Sequence, residues 1–469
     1  MKVSTINIKN VRSARLRTDA SYHLSEGQIV QKDIESSPYP LMQIKDVSND
    51  IFIGNRAKRI YVSSIEHGIP FLSSSDILKG DLEHVKIASK KYTPEIDRML
   101  LQKGWTLISR SGTIGNCAFA NAKHAQKLAS EDVIRLVPNN ILRGGLVYAY
   151  LASKYGHSLL TQGMFGAVIQ HIEPDFVGSL PIPHFPETFQ EEVDDLMQGA
   201  SRLREEATDE LNEAEKILKE AAKLRDLTPE DYDYYGLNNS GRKVSCFVRK
   251  RKDIDTTTIN AFNHSERIRN TKASITCPTV PLKEVLFGGD TFSTGSFPRI
   301  EVKEGCGIML INQKDIFDTI VKGKYISKRN VKTNNLVEYG EVLIAGVGTL
   351  GENETFCRAI YANEDLVGQL VSGEFIRLKT NGKVSSGYLY AWLASDYGFR
   401  LLRNLQAGTK LCRPIPRLVL EIPVPVVEKE TMEEIDKLVK DAYTKRYLAN
   451  CNERKAISLV EQEIESWNK

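Results

Sequence analysis

The sequence lacks the marks of several large classes of protein. No apolar run approaches the roughly 20 residues that a membrane-spanning helix needs, and residues 1–7 lack the apolar core of a secretion signal. The seven cysteines stand singly, without a Cys-x-x-Cys pair and without a histidine at metal-ligand spacing. We therefore expect a cytoplasmic protein with reduced, mostly structural thiols, no membrane segment and no metal site.

Enzymatic motifs are scarce as well. Gly112-Thr113-Ile114-Gly115 and Gly348-Thr349-Leu350-Gly351 lack the Gly-Lys-Ser/Thr that completes a phosphate-binding P-loop. They fit tight turns that end strands, or turns whose backbone approaches a DNA phosphate. The Asn/Asp-Pro-Pro-Tyr/Phe motif of a DNA amino-methyltransferase is missing. Asp290 with Glu301 and Lys303 matches a nuclease metal site only loosely, so we predict no catalytic residue.

What the sequence does contain is a long internal repeat. Residues 148–156 read Tyr-Ala-Tyr-Leu-Ala-Ser-Lys-Tyr-Gly, and residues 390–398, which lie 242 positions later, read Tyr-Ala-Trp-Leu-Ala-Ser-Asp-Tyr-Gly. This offset, the repeat shift, also pairs Leu-Pro-Ile-Pro at 180–183 with Ile-Pro-Val-Pro at 422–425. The repeated unit is one globular domain followed by a helix. A chain of 469 residues also suits two domains of about 180 residues with connecting elements.

Each copy ends in an amphipathic helical pattern, with apolar residues three or four positions apart. The first pattern, from Phe189 to Leu224, would span on the order of 55 Å as one helix, so it needs a partner along its length. The many alanines would let two helix backbones approach closely, and we predict an intramolecular antiparallel coiled coil. Its two stripes are Val193, Leu196, Ala200, Leu203, Ala207, Leu211, Ala214, Leu218 and Ala221, and Ile435, Leu438, Ala442, Ala449, Ala456, Val460 and Trp467.

Within each globular part the pattern predicts both strands and helices. β-like runs at 105–108 and 341–344 lead into the two glycine turns, and further runs at 132–136 and 374–378 precede the Tyr-Leu-Ala helices. The predicted fold class is α+β, with two repeated globular domains that are each followed by a long α-helix. Thr228 to Arg242 has the composition of a linker.

Charge is distributed unevenly between these parts. The net charge is +3, but residues 187–226 hold 13 acids and 6 bases, and residues 428–469 hold 10 acids and 8 bases. The two helical segments therefore sum to −9 and the remainder to +12. Basic globular parts with acidic helices suit a nucleic-acid binder that has a protein-facing scaffold. A generic basic protein with solvated helices fits the charge equally well.

Together these motifs resemble the specificity (S) subunit of type I restriction-modification systems. The resemblance lies in the doubled Leu-Ile-x-x-x-Gly-Thr-Ile/Leu-Gly turn, the doubled Tyr-x-x-x-Leu-Ala-Ser-x-x-Gly helix and the doubled Pro-x-Pro before a long helix. It covers essentially the whole chain. It implies target-recognition domains at 1–186 and, with the linker, at 228–427. It also implies spacer helices at 187–227 and 428–469.

The resemblance implies a non-catalytic subunit that recognises double-stranded DNA. Each domain would read half of an interrupted site, and the helices would set the gap and dock two methyltransferase subunits. The translocase-nuclease subunits would join through the complex. No cofactor is expected in this chain, because the partners would bind S-adenosylmethionine, ATP and magnesium. The specificity subunit of a type IIB restriction system remains an alternative, and a stand-alone nuclease or methyltransferase is a less favoured one.

DNA-contacting residues are predicted among polar side chains near the turns, whose donors match base edges or phosphates. The loops at 166–171 and 408–413 differ in sequence although their flanks agree, so the two half-sites should differ. The Arg249-Lys250-Arg251-Lys252 run suits phosphates better than bases, and a solvated surface position fits every candidate as well. The candidates are Lys90, Lys91, Arg110, Ser111, Thr113, Lys123, His124, Lys127, Gln162, Gln170, His171, Lys250, Arg251, Lys322, Lys324, Lys328, Arg329, Asn330, Thr349, Arg403, Asn404, Gln406, Lys410 and Arg413.

Overall fold

The computed structural model describes residues 6–13, 18, 20–23, 25–56, 58–164, 170–228, 247–254 and 257–467. The loop 166–169 and most of the predicted linker lie outside these ranges. The chain divides into two compact units: unit 1 comprises Met1–Glu205 and Leu448–Lys469, and unit 2 comprises Glu206–Tyr447. The prediction of a mixed helix and sheet protein with two long helices is confirmed. Among the described helices, none combines the length and apolar character that crossing a membrane requires.

Unit 1 contains short helices and strands that precede the first long helix. The helices are α1 (Ile8–Ser13), α2 (Ala20–His23), α3 (Glu26–Glu35), α4 (Ile96–Met99), α5 (Gly144–Ala152), α6 (Lys154–Gln162) and α7 (Pro174–Gly178). The strands are β1 (Leu41–Gln43), β2 (Ser48–Ile53), β3 (Tyr61–Val62), β4 (Gly68–Leu72), β5 (Lys86–Ser89), β6 (Thr106–Ser109), β7 (Cys117–Phe119), β8 (Leu128–Ala129), β9 (Val133–Pro138) and β10 (Pro181–Pro183).

Two four-stranded sheets organise unit 1. One has the order β2-β9-β6-β7 and is antiparallel, and the other has the order β3-β5-β4-β8, in which β4 and β8 are parallel. Strand β6 is buried along its whole length, because sheet and helices cover both of its faces. The Pro-x-Pro segment forms β10, which pairs with β1 near the start of the chain.

The first long helix, α8 (Glu187–Ala221), begins directly after the strand β10 region. Its early residues Val193 and Met197 are fully buried in the core of unit 1, and its later residues Ala214 and Leu218 are buried in the core of unit 2. The apolar pattern predicts a helix over 189–224, and the structure confirms that helix to within a turn at each end.

Unit 2 repeats much of this arrangement with shorter strands. Its short helices are α9 (Glu266–Ala273), α10 (Ser386–Ala394), α11 (Asp396–Asn404) and α12 (Pro416–Val419). Its strands are β11 (Thr279–Pro281), β12 (Ile308–Ile311), β13 (Lys324–Ile326), β14 (Val342–Ala345), β15 (Ala359–Tyr361), β16 (Leu370–Val371), β17 (Phe375–Leu378), β18 (Gln406–Ala407), β19 (Arg413–Pro414) and β20 (Pro423–Pro425). The sheets have the orders β15-β14-β17, β13-β12-β16, β11-β20 and β18-β19.

The second long helix, α13 (Lys429–Ser466), also contributes to both cores. Ile435 and Val439 are buried in unit 2, whereas Val460 and Ile464 are buried in unit 1. Each unit therefore contains one segment of α8 and one segment of α13, and both segments bury apolar side chains in the same core.

The doubled Leu-Ala-Ser-x-x-Gly motif proves to be a corner between two helices. The Ser153 hydroxyl donates to the Tyr150 carbonyl at 2.6 Å and accepts from the Gly156 N–H at 3.2 Å. A side chain at Gly156 would place its Cβ only 2.1 Å from the Tyr150 carbonyl oxygen. Ser395 and Gly398 form the same bonds in unit 2. The motif thus serves the framework, since serine caps the next helix and glycine permits the close approach.

Candidate nucleic-acid interface

In unit 1 the turn that follows β6 and contains Gly112 is hydrogen-bonded to the chain just after residue 169. Ser111 and His171 form an antiparallel bridge. The Ser111 hydroxyl donates to Asp132 Oδ1 at 2.9 Å, because a carboxylate can only accept, and it lies 2.6 Å from His171 Nδ1. Ser111 is buried, and its hydroxyl therefore makes its contacts within the unit.

Arg110, the neighbouring candidate, forms an ion pair with Glu173. The distance from Nη2 to the carboxylate is 2.5 Å, and only 14% of the Arg110 side chain is exposed. Its backbone N–H also donates to the Asp132 carbonyl at 2.8 Å. A base contact by Arg110 would require this ion pair to open. Around it, Thr113 is half-buried with its hydroxyl 2.9 Å from that of Ser109, and Gln170 is exposed.

Unit 2 brings its own turn and loop together in the same way. The Gly348 N–H donates to the Cys412 carbonyl at 3.2 Å, and the Cys412 N–H donates back to the Gly348 carbonyl at 2.7 Å. The candidates Thr349, Lys410 and Arg413 flank this junction and are exposed. The divergent loop and the glycine turn therefore form one continuous surface in this unit.

Two candidates of unit 1, His124 and Gln162, are buried within the framework. His124 is buried, its Nδ1 lies 2.8 Å from Asn121 Oδ1, and burial lowers its pKa to about 4. Gln162 is buried at the end of α6 against α3, where Gly27 allows the two helices to approach. Both side chains therefore pack within unit 1 and contribute little to its surface.

Three candidates of unit 2, Arg403, Asn404 and Gln406, are also buried. Arg403 is fully buried and donates to the Phe356 carbonyl at 3.1 and 3.2 Å. Asn404 and Gln406 are buried at the end of α11, where their backbone carbonyls accept from the Asn263 amide at 2.6 and 3.0 Å. Polar residue type alone therefore did not separate surface positions from framework positions.

The lysine candidates of unit 1 differ in their exposure. Lys90 is exposed and donates to the Glu66 carbonyl at 3.2 Å, and Lys91 is exposed beside it. Lys127 is mostly buried and donates to the Lys123 carbonyl at 2.6 Å. Lys90 and Lys91 are therefore better suited to phosphate contact than Lys127.

In unit 2 an exposed group of basic residues follows β12 and β13. Lys322 is exposed, and Lys328, Arg329 and Asn330 form a 3₁₀ turn in which the two cations are exposed. Lys250 and Arg251 are exposed at the start of another such turn. These side chains could all meet phosphates from the surface of the unit.

The loose nuclease trio does not form a metal site among the described residues. Glu301 pairs with the candidate Lys324 at 2.5 Å, and both side chains are largely exposed. No group of three or more His, Cys, Asp or Glu residues in the described ranges is arranged to hold a metal ion.

Sequence reasoning missed a set of arginines beneath the unit 2 turn. Arg400 binds Glu352 through two parallel hydrogen bonds, and Arg358 donates to the Glu352 carbonyl at 2.8 Å. Arg400 lies on the same helix as the buried Leu401 and Leu402. An amphipathic pattern does not show which face of a helix an arginine occupies, so the sequence gives no clear signal for this contact.

Comparisons with known proteins give structural matches only. No family model and no curated protein matches the sequence. The type I restriction-modification S subunit from M. genitalium aligns over 91% of this chain and 94% of its own, with 13% identity and a TM-score of 0.31. The HsdS subunit from Thermoanaerobacter tengcongensis aligns over 92% and 96%, with 12% identity and a TM-score of 0.28. A chain from a structure of type I restriction-modification complex assembly and conformational transition aligns over 92% and 97%, with 14% identity and a TM-score of 0.27.

These alignments span more than nine tenths of each chain, but TM-scores near 0.3 do not establish a common fold. The function proposed below therefore rests on the residues and contacts of this chain.

Proposed function

We propose that this chain is the sequence-specific, non-catalytic DNA-recognition subunit of a type I restriction-modification complex. Each globular part reads one half of a bipartite, interrupted site. The two long helices set the gap between the halves and dock methyltransferase subunits, through which the translocase-nuclease subunits join. S-adenosylmethionine, ATP and magnesium belong to those partners.

The observation that carries this proposal is the pairing of the repeated glycine motif with a divergent loop in each unit. Ser111 meets His171 in unit 1, and Gly348 meets Cys412 in unit 2, at corresponding places in the two sheets. The flanking framework is shared, whereas the side chains at the junctions differ. A duplicated framework that carries different polar groups at the same junction suits two modules that recognise different DNA sequences.

Equivalent contacts at positions related by the repeat shift support the duplication. The Gly145 N–H donates to Asp194 Oδ1 at 2.7 Å, and the Gly387 N–H donates to Asp436 Oδ1 at 2.8 Å. Each bond joins the start of a Tyr-Leu-Ala helix to the long helix that follows it. The first residues of the two long helices also correspond at the repeat shift, so each repeated domain carries its helix in the same manner.

Ion pairs between the long helices support their antiparallel pairing. In unit 1, Arg204 of α8 meets Glu453 of α13 at 2.5 Å. In unit 2, Glu206 and Glu210 of α8 meet Lys445 of α13 at 3.0 and 2.6 Å. As the residue number rises along α8, the number of its partner falls along α13. A pair of this kind would act as a spacer between the recognition modules.

Exchange of one domain tests the division of labour. Residues 1–186 are replaced by the first domain of another S subunit, and the chain is assembled with its methyltransferase partner. Mapping of methylated bases should show a change in one half-site only, because the other module keeps its turn and loop. A change in both halves would contradict independent recognition.

The proteins that co-purify with the unaltered chain separate a type I from a type IIB system.

Lengthening of both helices tests the spacer. Seven residues inserted after Glu205 and seven after Tyr447 add about two turns, or about 10 Å, to each helix and preserve the pairing register. Since DNA rises about 3.4 Å per base pair, the gap should grow by about three base pairs while both half-sites keep their sequence. Insertion into α8 alone is the matched control and should impair assembly. An unchanged gap in an active complex would show that the helices do not set the spacing.

A further inference from the structure

The turn after the central strand is longer in unit 2 than in unit 1. In unit 1 the Gly115 N–H donates to the Ser109 carbonyl at 3.0 Å, and in unit 2 the Cys357 N–H donates to the Ala345 carbonyl at 2.8 Å. Gly115 and Cys357 also share a left-handed backbone, with φ of +80° and +66°. Between these equivalent anchors lie residues 110–114 in one unit and 346–356 in the other. Unit 2 therefore carries six additional residues at the site proposed to meet DNA.

Three arginines hold the additional residues in place. The Arg400 guanidinium donates to both carboxylate oxygens of Glu352, at 3.0 and 3.1 Å, and its own side chain is almost fully buried. Arg358 donates to the backbone carbonyl of Glu352 at 2.8 Å. Arg403 donates to the carbonyls of Glu354 and Phe356, at 3.3 and 3.1 Å. Forked arginine bonds fix orientation as well as distance.

An aromatic ring joins these arginines into one cluster. The Arg358 guanidinium carbon lies 3.8 Å from the centroid of the Phe399 ring, and that of Arg403 lies 4.3 Å from it. At these distances the ring attracts both cations. The cluster ties the turn to helix α11, so the turn is ordered before any ligand arrives.

Unit 1 has neither the additional residues nor the cluster. The positions that correspond to Phe399, Arg400 and Arg403 at the repeat shift are occupied by His157, Ser158 and Thr161. There His157 Nδ1 lies 3.3 Å from the Gly115 carbonyl, beside the short turn. The arginine cluster and the longer turn thus occur together in unit 2, and both are missing from the corresponding described residues of unit 1. This indicates that the cluster holds the longer turn in place.

The tip of the longer turn carries hydrogen-bond acceptors. Asn353 and Glu354 are exposed, whereas the Glu352 charge is neutralised by Arg400. In the major groove a carboxylate side chain accepts from the N4 amino group of cytosine, and an asparagine pairs with adenine N6 and N7. An exposed carboxylate is unfavourable near phosphates, so a turn that presents one to DNA is better suited to base edges.

We propose that residues 352–356 are a specificity element of unit 2, which accepts a hydrogen bond from the exocyclic amino group of cytosine or adenine in its half-site. Glu354 provides the acceptor, and Arg400 is a positioning residue that acts through Glu352. This inference rests on the proposed DNA-recognition function.

The test compares base preferences of the full chain, assembled with its methyltransferase partner, on DNA randomised in both half-sites. Glu354→Ala should reduce discrimination at one position of the unit 2 half-site by about tenfold. Glu364→Ala, which removes another exposed carboxylate from a different loop of unit 2, should leave every position unchanged. Ser158→Ala is the matched control for Arg400→Ala, because it alters the corresponding position of unit 1.

Arg400→Ala should relax the same position as Glu354→Ala and no position of the unit 1 half-site. Arg400→Lys keeps the charge without the fork and should give an intermediate loss. Uniform weakening in both Arg400 variants without a change in base preference would assign a merely structural role and overturn the inference. So would an unchanged profile for Glu354→Ala, which alters only a surface side chain and should fold. If the unaltered complex selects no bipartite sequence, the proposed function itself fails.

Discussion

The ion pair between the long helices in unit 1 allows a quantitative test of their proposed pairing. Arg204→Met removes the guanidinium and leaves the Glu453 carboxylate, whose side chain is only 6% exposed. Removal of one partner of a buried ion pair costs about 3–5 kcal/mol. Because 16% of the Arg204 side chain is exposed, water reaches the pair, and we expect the lower end, about 3 kcal/mol. For a unit of this size that loss lowers the Tm by about 6–12 °C.

The loss should be largely reversed by neutralising the remaining charge. In Arg204→Met with Glu453→Gln, the amide oxygen still accepts from the Tyr148 hydroxyl, which donates to Glu453 at 2.5 Å. Burial, with Glu453 as the next cause, raises the pKa of Tyr148 well above its ordinary value, so the hydroxyl keeps its proton near neutral pH. The double variant should therefore be destabilised by only about 1 kcal/mol, the cost of weakened hydrogen bonds.

A pair of the same type in unit 2 provides the control. Lys445 bonds to Glu206, which is 54% exposed, and to Glu210, which is 21% exposed. Both carboxylates keep more contact with water than Glu453 does, so Lys445→Met should cost about 1 kcal/mol, less than Arg204→Met. Hydrogen exchange measured by peptide separates the two units, which one melting curve would not. Equal losses for Arg204→Met and Lys445→Met, or a double variant no more stable than Arg204→Met, would refute the reasoning.

Two further predictions concern DNA contact and pH. Arg413→Ala should cost about 1–3 kcal/mol of binding free energy and relax the preference at one base position. The double variant Lys250→Ala, Arg251→Ala should instead weaken binding to all sequences and reduce the slope of log K against log salt concentration by about 2. Binding isotherms on single-base variants of the DNA at several salt concentrations separate these outcomes. Burial lowers the pKa of His124 from 6.5 to about 4, so the unfolded chain binds the proton first, and stability should fall by about 2–3 kcal/mol between pH 7 and pH 4.5. Urea unfolding should show that His124→Gln, less stable at pH 7, loses much less over that interval.

The repeated framework could be predicted from the sequence because it depends on short-range patterns. Serine and glycine at the helix corner, proline before the long helices and the 3.6-residue apolar period all act over a few residues. The strands at 106–109 and 342–345 and the helices at 187–221 and 429–466 accordingly lie close to where the patterns placed them.

The longer turn of unit 2 could not be predicted in the same way. The helices and prolines match at the repeat shift, but strands β6 and β14, which begin at Thr106 and Val342, match at a smaller offset. The similar Gly-Thr-Ile-Gly and Gly-Thr-Leu-Gly sequences conceal this difference, because the six additional residues follow the second motif. Only the pairing of β14 with β15 shows that Cys357, rather than Gly351, occupies the place of Gly115.

The burial of charged residues also could not be predicted from the sequence, and the reason is physical. A side-chain charge usually predicts exposure, since an unpaired buried charge is costly. Arg377 is nevertheless fully buried, where Glu341 and the carbonyls of Asn335 and Leu336 satisfy its donors. Arg135, its counterpart in unit 1, is also fully buried but donates to carbonyls alone. Such sites depend on partners distant in sequence, which a local pattern does not reveal.

The two units also differ where they meet the long helices, and the difference bears on register. Tyr148 in unit 1 donates to Glu453, whereas Tyr390, its counterpart in unit 2, packs edge-on against Tyr443 at 5.2 Å between ring centroids. The residue of α8 that corresponds to Glu453 is Leu211, which packs against the core of unit 2. A slide of one helix along the other would remove Glu453 from Arg204 and leave its buried charge unpaired. The proposed spacer should therefore hold a single length.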